Sequence, residues 1–348
     1  MSSQLKEEIW VIADNRPGTF NQAISLAKSI SMPYRIIEIE YNFLAKMPNF
    51  LNFFNLWCLS RKTRKSLNGI GYYPQVIISA GRRAANVALA IKRNSNNNSK
   101  IVQIMNPQLP FRLFDNVLLP YHDPYNSYRR LLKKGGKEVL IKINGALNSI
   151  NPKMLQAELA KFSLAIEKKL QDSNGRNIAV LVGGNYKNKP FPVVAIKELL
   201  QDINFLKKEN DKVLIVNSRR TSNIINQFIK DYIAKNNNYC LFDFHDYVAN
   251  NPYLAILAIA DIIVATGDSV SMVSDALATG KELYIFSHKD IASAKHRQFH
   301  SNLFDLGLAN KMPNKRNDKP DHKKREITAD YISETAKLGN YLRCKFFS

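Results

Sequence analysis

The sequence predicts an α/β protein made of two Rossmann-like, doubly wound domains facing each other across a cleft. Three observations carry this reading. Apolar strand runs alternate with helical patterns, the alternation occurs twice in succession, and many of the strand runs end in turns rich in Gly, Ser, Asp or Arg. A length of 348 residues suits two domains of ordinary size. With 45% hydrophobic and 23% charged residues, the chain has the profile of a globular protein.

In the first half, residues 9–13 read as a buried strand, Asp14-Asn15-Arg16-Pro17-Gly18 as a turn, and Ala23, Ile24, Leu26, Ala27 and Ile30 as the stripe of a helix. Strand runs recur at 34–39, 76–80, 101–105 and 117–120, and Gly81-Arg82-Arg83 introduces a small-residue helix over 84–91. Residues 157–170 read as a helix between the halves. With a boundary near Asn151, residues 1–150 form the first domain and 151–325 the second. The second half has expected strands at 177–182, 212–216, 240–244, 261–265 and 283–286. Helices are expected at 192–200, through Ile224 to Ile229, after Pro252, and through Met272 to Leu277. Residues 310–325, rich in Lys, Asn and Pro, are expected to be a mobile loop. Residues 328–342 read as a helix of the segment 326–348, packing back across both domains.

Fifty Lys and Arg against 29 Asp and Glu give a net charge of +21, which concentrates anions: nucleic acid, phosphorylated small molecules or an acidic membrane face. No helix-turn-helix or RNA-binding motif accompanies that charge, so nucleic acid is a poor candidate. Three scattered cysteines argue against a disulfide framework or a Cys-rich zinc site and suit a reducing compartment. The six histidines lack zinc spacing, and His296 and His300 lack the intervening Glu of a metalloprotease helix, so no metal is expected. A Walker lysine motif, Gly-x-Gly-x-x-Gly and Gly-x-Ser-x-Gly are all missing, which counts against kinases, NAD enzymes and serine hydrolases. The longest apolar stretch, 253–266, is interrupted by Asp261 and is too short to span a bilayer. Residues 1–8 lack a signal-peptide core. A cytoplasmic location is expected.

The richest constellation runs from Thr266 to Gly280. A strand stops at Thr266, and the next helix begins near Ser269 with free N–H groups and a positive dipole end; Ser271 adds a hydroxyl and Met272 follows it, so a diphosphate can sit there without a cation. Asp268 and Asp275 lie on the same stretch, Asp275 where a carboxylate can accept from ribose hydroxyls. Asp and Ser are also favoured caps, so an ordinary βα turn explains the pattern equally well. Ser218-Arg219-Arg220-Thr221 places two cations at a helix start, where they are electrostatically disfavoured unless an anion binds. Gly81-Arg82 repeats the device in the first half. Gly183-Gly184 is a turn that lets a ligand approach the backbone, and Arg16 and Gly18 form a loop aimed at the same cleft. Asp14, His122 and Asp123 are candidate general bases. Residues 43–67 contain Phe53, Phe54 and Trp57 followed by Arg61, Lys62, Arg64 and Lys65. That pattern suits either contact with an anionic membrane surface or a core helix with a basic end.

Taken in order, Asp14–Gly18, Ile78–Arg83, Gln103–Pro107, Pro120–Asp123, Ser218–Thr221 and Thr266–Met272 resemble the mitochondrial-fission "elongated mitochondria" family of bacteria and plants, over about residues 9–310. The resemblance implies a GT-B-like fold with a nucleotide-sugar donor held by the second domain. It implies a metal-independent glycosyltransferase, peripheral at the inner face of the membrane, moving a sugar to a surface-glycan or lipid-linked acceptor. The alternative it implies is a non-enzymatic, membrane-associated scaffold of the mitochondrial-fission type recruiting a dynamin-related partner. On this analogy Asp275 binds the donor ribose and Ser269 and Ser271 meet the diphosphate. Asp275 stands where Glu is common in the family, and Asn106 where Asp is common.

Overall fold

The computed structural model describes residues 5–13, 16–43, 56–132, 137–170, 174–186, 189–247, 250–313 and 333–347. The chain divides into two compact units, Met1–Ser149 with Glu334–Ser348, and Ile150–Ser333.

The first unit is built on strands β1 (Leu5–Ala13), β2 (Tyr34–Glu38), β3 (Tyr73–Ala80), β4 (Lys100–Ile104), β5 (Asn116–Pro120) and β6 (Leu140–Ile143). They form one sheet in the order β2-β1-β3-β4-β5-β6, every pair parallel. Helices α1 (Pro17–Ile30), α2 (Arg61–Asn68) and α3 (Gly81–Asn94) accompany it. The inner strands β3, β4 and β5 and the second half of β1 are almost wholly buried and largely apolar because both faces are covered, whereas the edge strand β2 is mostly exposed. Trp10, Ile12 and Ile77 point into one buried cluster, while Ile9, Val11, Val76 and Ile78 point into the other.

The second unit opens with α4 (Pro152–Leu170) and contains β7 (Asn177–Leu181), α5 (Val193–Leu206), β8 (Lys212–Val216), α6 (Asn223–Ile233), β9 (Tyr239–Phe242), α7 (Tyr253–Ile259), β10 (Ile262–Thr266), α8 (Val270–Ala278), β11 (Glu282–Phe286), α9 (Ala294–Asp305) and β12 (Asn310–Lys311). Its sheet runs β12-β11-β10-β7-β8-β9, again all parallel. Strand order therefore reverses between β1 and β3 in the first sheet and between β7 and β10 in the second. Each unit is doubly wound, as the alternation of strand and helix predicts.

Three elements escaped the sequence reading. Strand β6 is short and half-buried, α9 is interrupted by polar residues, and β12 is a two-residue pairing with Tyr284 and Ile285. The last corrects an expectation: Asn310 and Lys311 are strand, not the start of a mobile loop, and residues 314–332 lie outside the described set. The final helix, α10 (Glu334–Phe347), belongs to the first unit. It packs on α1 so closely that a Cβ on Gly339 would overlap the Ser29 carbonyl. Leu338 and Leu342 enter the apolar cluster beneath, and the Glu334 carboxylate accepts from the Asn144 N–H at 2.7 Å.

Leu342 is fully buried in that cluster. Leu342→Ala is expected to destabilise the first unit by roughly 2–5 kcal/mol, the usual cost of such a truncation. Both tryptophans, Trp10 and Trp57, lie in this unit, so denaturant unfolding followed by tryptophan fluorescence isolates the effect.

Candidate functional site

In the second unit the two strands that flank the reversal of order are β7 and β10, and they end in Gly183-Gly184 and in Gly267-Asp268-Ser269. Parallel sheets bind ligands at such reversals. The centre of the arrangement is Asp268, whose side chain is 1% exposed. Its carboxylate accepts from the Gly184 N–H at 3.0 Å, from Arg220 Nη2 at 3.2 Å and from the Thr266 hydroxyl at 2.7 Å. Thr266 Oγ1 in turn accepts from the Gly183 N–H at 2.8 Å. Both glycines are required by this closeness. A Cβ on Gly183 would overlap the Asp268 carboxylate, and one on Gly184 would overlap the backbone of Arg220 and Thr221.

The turn after β8 is locked against the same loop. Ser218 Oγ donates to the Gly183 carbonyl at 3.1 Å, Thr221 Oγ1 donates to that carbonyl too, and the Asn185 N–H donates to the Arg220 carbonyl at 2.9 Å. Behind the turn, buried Asn217 donates to Asn226 Oδ1 (2.7 Å) and Asp243 Oδ1 (2.9 Å). Burial pushes the Asp243 carboxyl up, but hydrogen bonds from Asn217, Lys230 and the His245 N–H outweigh it and hold the group low. The two arginines thus part company. Arg220 is committed to Asp268, while Arg219 is exposed and has no hydrogen bond or ion pair among the described residues. They also precede the helix: α6 is capped by Ser222, so both sit in the turn before it.

On α8, Ser269 is the N-cap and its hydroxyl accepts from the Met272 N–H at 3.5 Å, so it serves the helix. Ser271 is exposed in the first turn, and Met272 packs half-buried on the core. Asp275 is half-buried and accepts from the Tyr253 hydroxyl of α7 at 3.3 Å. Burial pushes its carboxyl up to about 7 against the lowering effect of that hydrogen bond. Tyr253 was not singled out in the sequence; the Asn-Asn-Pro-Tyr turn gives no hint of a partner 22 residues later.

In the first unit, Arg16 and Gly18 at the start of α1 and Gly81 and Arg82 at the start of α3 come together at the β1/β3 reversal. Gly81 has φ +77°, a conformation that favours glycine, and its carbonyl accepts from Gln103 Nε2 at 3.2 Å. His122 and Asp123 follow β5, two strands away from β3, on the order of 10 Å along the sheet edge. His122 is buried and Asp123 half-buried. Asp14 lies outside the described residues. So do Phe53 and Phe54. Trp57 is 66% exposed in a turn, which corrects the alternative of a core helix running through it. Arg61, Lys62 and Lys65 are exposed on α2 and Arg64 is half-buried, while Thr63 and Leu67 anchor the helix.

Two parallel, doubly wound sheets in tandem define the GT-B class of α/β proteins, and solved structures of that class align along this chain. The UDP-GlcNAc 2-epimerase of Methanocaldococcus jannaschii matches with a TM-score of 0.53 and 13% identity, covering 98% of this chain and 100% of that one. The catalytic domain of starch synthase IV from Arabidopsis thaliana matches with a TM-score of 0.50 and 12% identity, covering 97% and 94%. At those identities the likeness concerns the fold.

The chain belongs to the mitochondrial fission ELM1 family, whose sequence profile matches residues 17–343. An uncharacterized protein of Rickettsia prowazekii is 36% identical over 331 residues, covering 86% of this chain and 89% of that protein. The mitochondrial fission protein ELM1 of Arabidopsis thaliana is 25% identical over 248 residues, covering 68% of this chain and 56% of that protein.

Because the folded state holds a proton on Asp275 that the unfolded chain (carboxyl near 3.9) releases, this group removes stability as the pH rises from about 4 to about 7. Asp202, pushed up to about 6 by burial and Glu198, contributes with the same sign. Asp275→Asn is therefore expected to match the native protein near pH 4 and to melt higher than it at pH 8. Thermal unfolding of both proteins across that range reads the difference.

Proposed function

We propose that this chain is a GT-B-type glycosyltransferase that moves a sugar from a nucleotide-sugar donor to a glycan or lipid-linked acceptor. The observation that carries the reading is the β7/β10 reversal, where backbone N–H groups at the start of α8, the exposed Ser271 and Arg219, which has no partner among the described residues, surround a glycine loop packed on Asp268. Gly183 and Gly184 admit Asp268 and the turn after β8, and so fix the loop beside which the diphosphate would lie. Ser218, Arg220, Thr221 and Asp268 shape the loop, and Asp275, positioned by Tyr253, receives the ribose hydroxyls. The starch synthase structure of this fold was solved with ADP and acarbose bound, so a nucleotide ligand is compatible with the architecture.

In this mechanism no metal is needed. As the glycosidic bond to the donor breaks, negative charge grows on the leaving diphosphate. The positive end of α8 and the Arg219 guanidinium stabilise it most in the transition state. For an inverting reaction, Asp14, His122 and Asp123 are the candidate bases on the acceptor hydroxyl; of the two described, His122 is buried and Asp123 half-buried. Arg16, Gly18, Gly81 and Arg82 serve the acceptor side.

We further propose that the protein is cytoplasmic and rests on the inner face of the membrane. Among the described residues no helix is long and apolar enough to cross a membrane. Phe43, 79% exposed, and Trp57 are held together by Asn42, whose Nδ2 donates to the Trp57 carbonyl at 2.6 Å, and the basic face of α2 follows directly. Exposed aromatics beside lysines and arginines are the composition of an anionic-lipid contact. The same surface serves the rival reading, a fission-type scaffold, which the name of the Arabidopsis relative favours.

Arg219→Ala is expected to weaken nucleoside diphosphate binding about ten- to a hundredfold, the equivalent of roughly 1.5–3 kcal/mol for a charged hydrogen bond. Its melting temperature should not change, because the side chain makes no hydrogen bond or ion pair among the described residues. Calorimetry reads both outcomes; unchanged affinity removes Arg219 from the site, and no binding to the native protein gives the lead to the scaffold. For the membrane surface, sedimentation with vesicles should show binding to anionic but not neutral lipid, weakened by salt. Replacing Arg61, Lys62, Arg64 and Lys65 by Ser should release the protein and leave nucleotide affinity intact.

A further inference from the structure

A pocket of about 400 Å³ lies beside Gly184, walled by the loops that follow β7 and β11. Its volume is that of a small-ligand site. Phe191 and Ile291, both buried, form its apolar base. Lys189 and Lys289 stand at its edge, exposed and without a hydrogen bond or ion pair from either ammonium among the described residues. Among the described residues of the lining Asp290 is the one acidic side chain; it is exposed, and its carboxylate lies 3.8 Å from His288 Nδ1, which accepts from the Asp290 N–H. Ser293, the N-cap of the twelve-residue α9, completes the wall, so the positive end of that helix adds to the two ammonium groups.

The two faces of the sheet place this pocket relative to the donor site. Val273 and Ala276 of α8 pack in the cluster that contains Ala179 and Leu181, and Tyr253, the partner of Asp275, packs on it too. Phe191 and Ile291 pack in the cluster of the opposite face, with Ile178 and Val180. On the donor reading, a diphosphate at the β7/β10 crest, between these faces, would have its ribose towards Asp275 on one side and its other end towards the pocket on the other. Gly184 borders both.

We propose that this pocket receives the transferred sugar and selects one bearing a negative group, a carboxylate or a phosphate. The inference rests on the donor reading given above. Two ammonium groups and a helix terminus against one carboxylate leave the pocket net positive, so an acidic sugar gains there over a neutral one, above an apolar base suited to a ring face.

Calorimetry on the full chain with UDP, UDP-glucose and UDP-glucuronate tests it. UDP-glucuronate is expected to bind at least tenfold more tightly than UDP-glucose. In the double variant Lys189→Ala, Lys289→Ala that ratio should fall to about one while the affinity for UDP itself is unchanged. Saturation-transfer NMR with free D-glucuronate, D-glucose 6-phosphate and D-glucose reads the pocket without a nucleotide and separates the carboxylate from the phosphate. Signal from either anionic sugar, lost in the double variant, supports the pocket even if uridine nucleotides do not bind. Equal affinity for the two UDP-sugars, with UDP bound, overturns the anionic selectivity and leaves the donor reading standing. No preference for an anionic sugar in the NMR experiment, with UDP unbound, overturns both.

Discussion

A carboxylate taken out of water is costly unless charge and hydrogen bonds surround it, and Asp268 meets that requirement by drawing three chain segments together. The Gly184 N–H comes from the end of β7, the Thr266 hydroxyl from the end of β10, and Arg220 from the turn after β8. Each is separately anchored by its strand. The carboxylate thus sets the spacing of the loops at the sheet's carboxyl edge, and the two glycines exist to let it in. Removing one partner would leave a buried charge uncompensated, which is why this hub behaves as a unit and not as three independent contacts.

That arrangement also sorts the polar groups into those that build and those that remain available. Arg220, Thr266, Ser218, Thr221 and Ser269 all spend their hydrogen bonds on the fold. Arg219 and Ser271 make none among the described residues; Ser271 follows β10, at the reversal of strand order, and Arg219 follows β8, the next strand beyond β7. Rigid structural groups beneath exposed ones is the layering that positions a binding site, because the exposed side chains inherit the precision of the supporting network. The first unit follows the same plan more loosely. Gly81, with its left-handed backbone, and Gln103 hold the start of α3 beside the start of α1, while the His122–Asp123 turn stands two strands further on.

The C-terminal helix shows how a chain of two units is closed. Gly339 against the Ser29 carbonyl and Leu342 in the apolar cluster bring α10 back to the unit in which the chain began. Its sequence, with apolar residues at Leu338 and Leu342, announces a helix with a buried stripe. Which surface that stripe meets depends on a small-residue contact with Ser29, 310 positions before Gly339, which no local pattern encodes.

Local information in the sequence was enough for the fold class, most of the strands and the position of the glycine and serine turns. A parallel strand covered on both faces must be an unbroken apolar run, as at Ile9–Ile12 and Ile262–Ala265, and the loops that follow must accommodate close backbone approach. Strand β12 stayed hidden because two residues, Asn310 and Lys311, carry no periodicity; their pairing is decided by the neighbouring β11. The identities of the candidate site residues were also legible, but their roles were not. Arg219 and Arg220 are indistinguishable as letters, and only the buried Asp268, 48 residues further along, assigns one to the scaffold and leaves the other exposed. The same holds for Asp275, whose raised affinity for a proton comes from burial beside Tyr253. Backbone pattern is written residue by residue; pairing of charges and hydrogen bonds across strands is created only when the sheet brings distant turns to one edge.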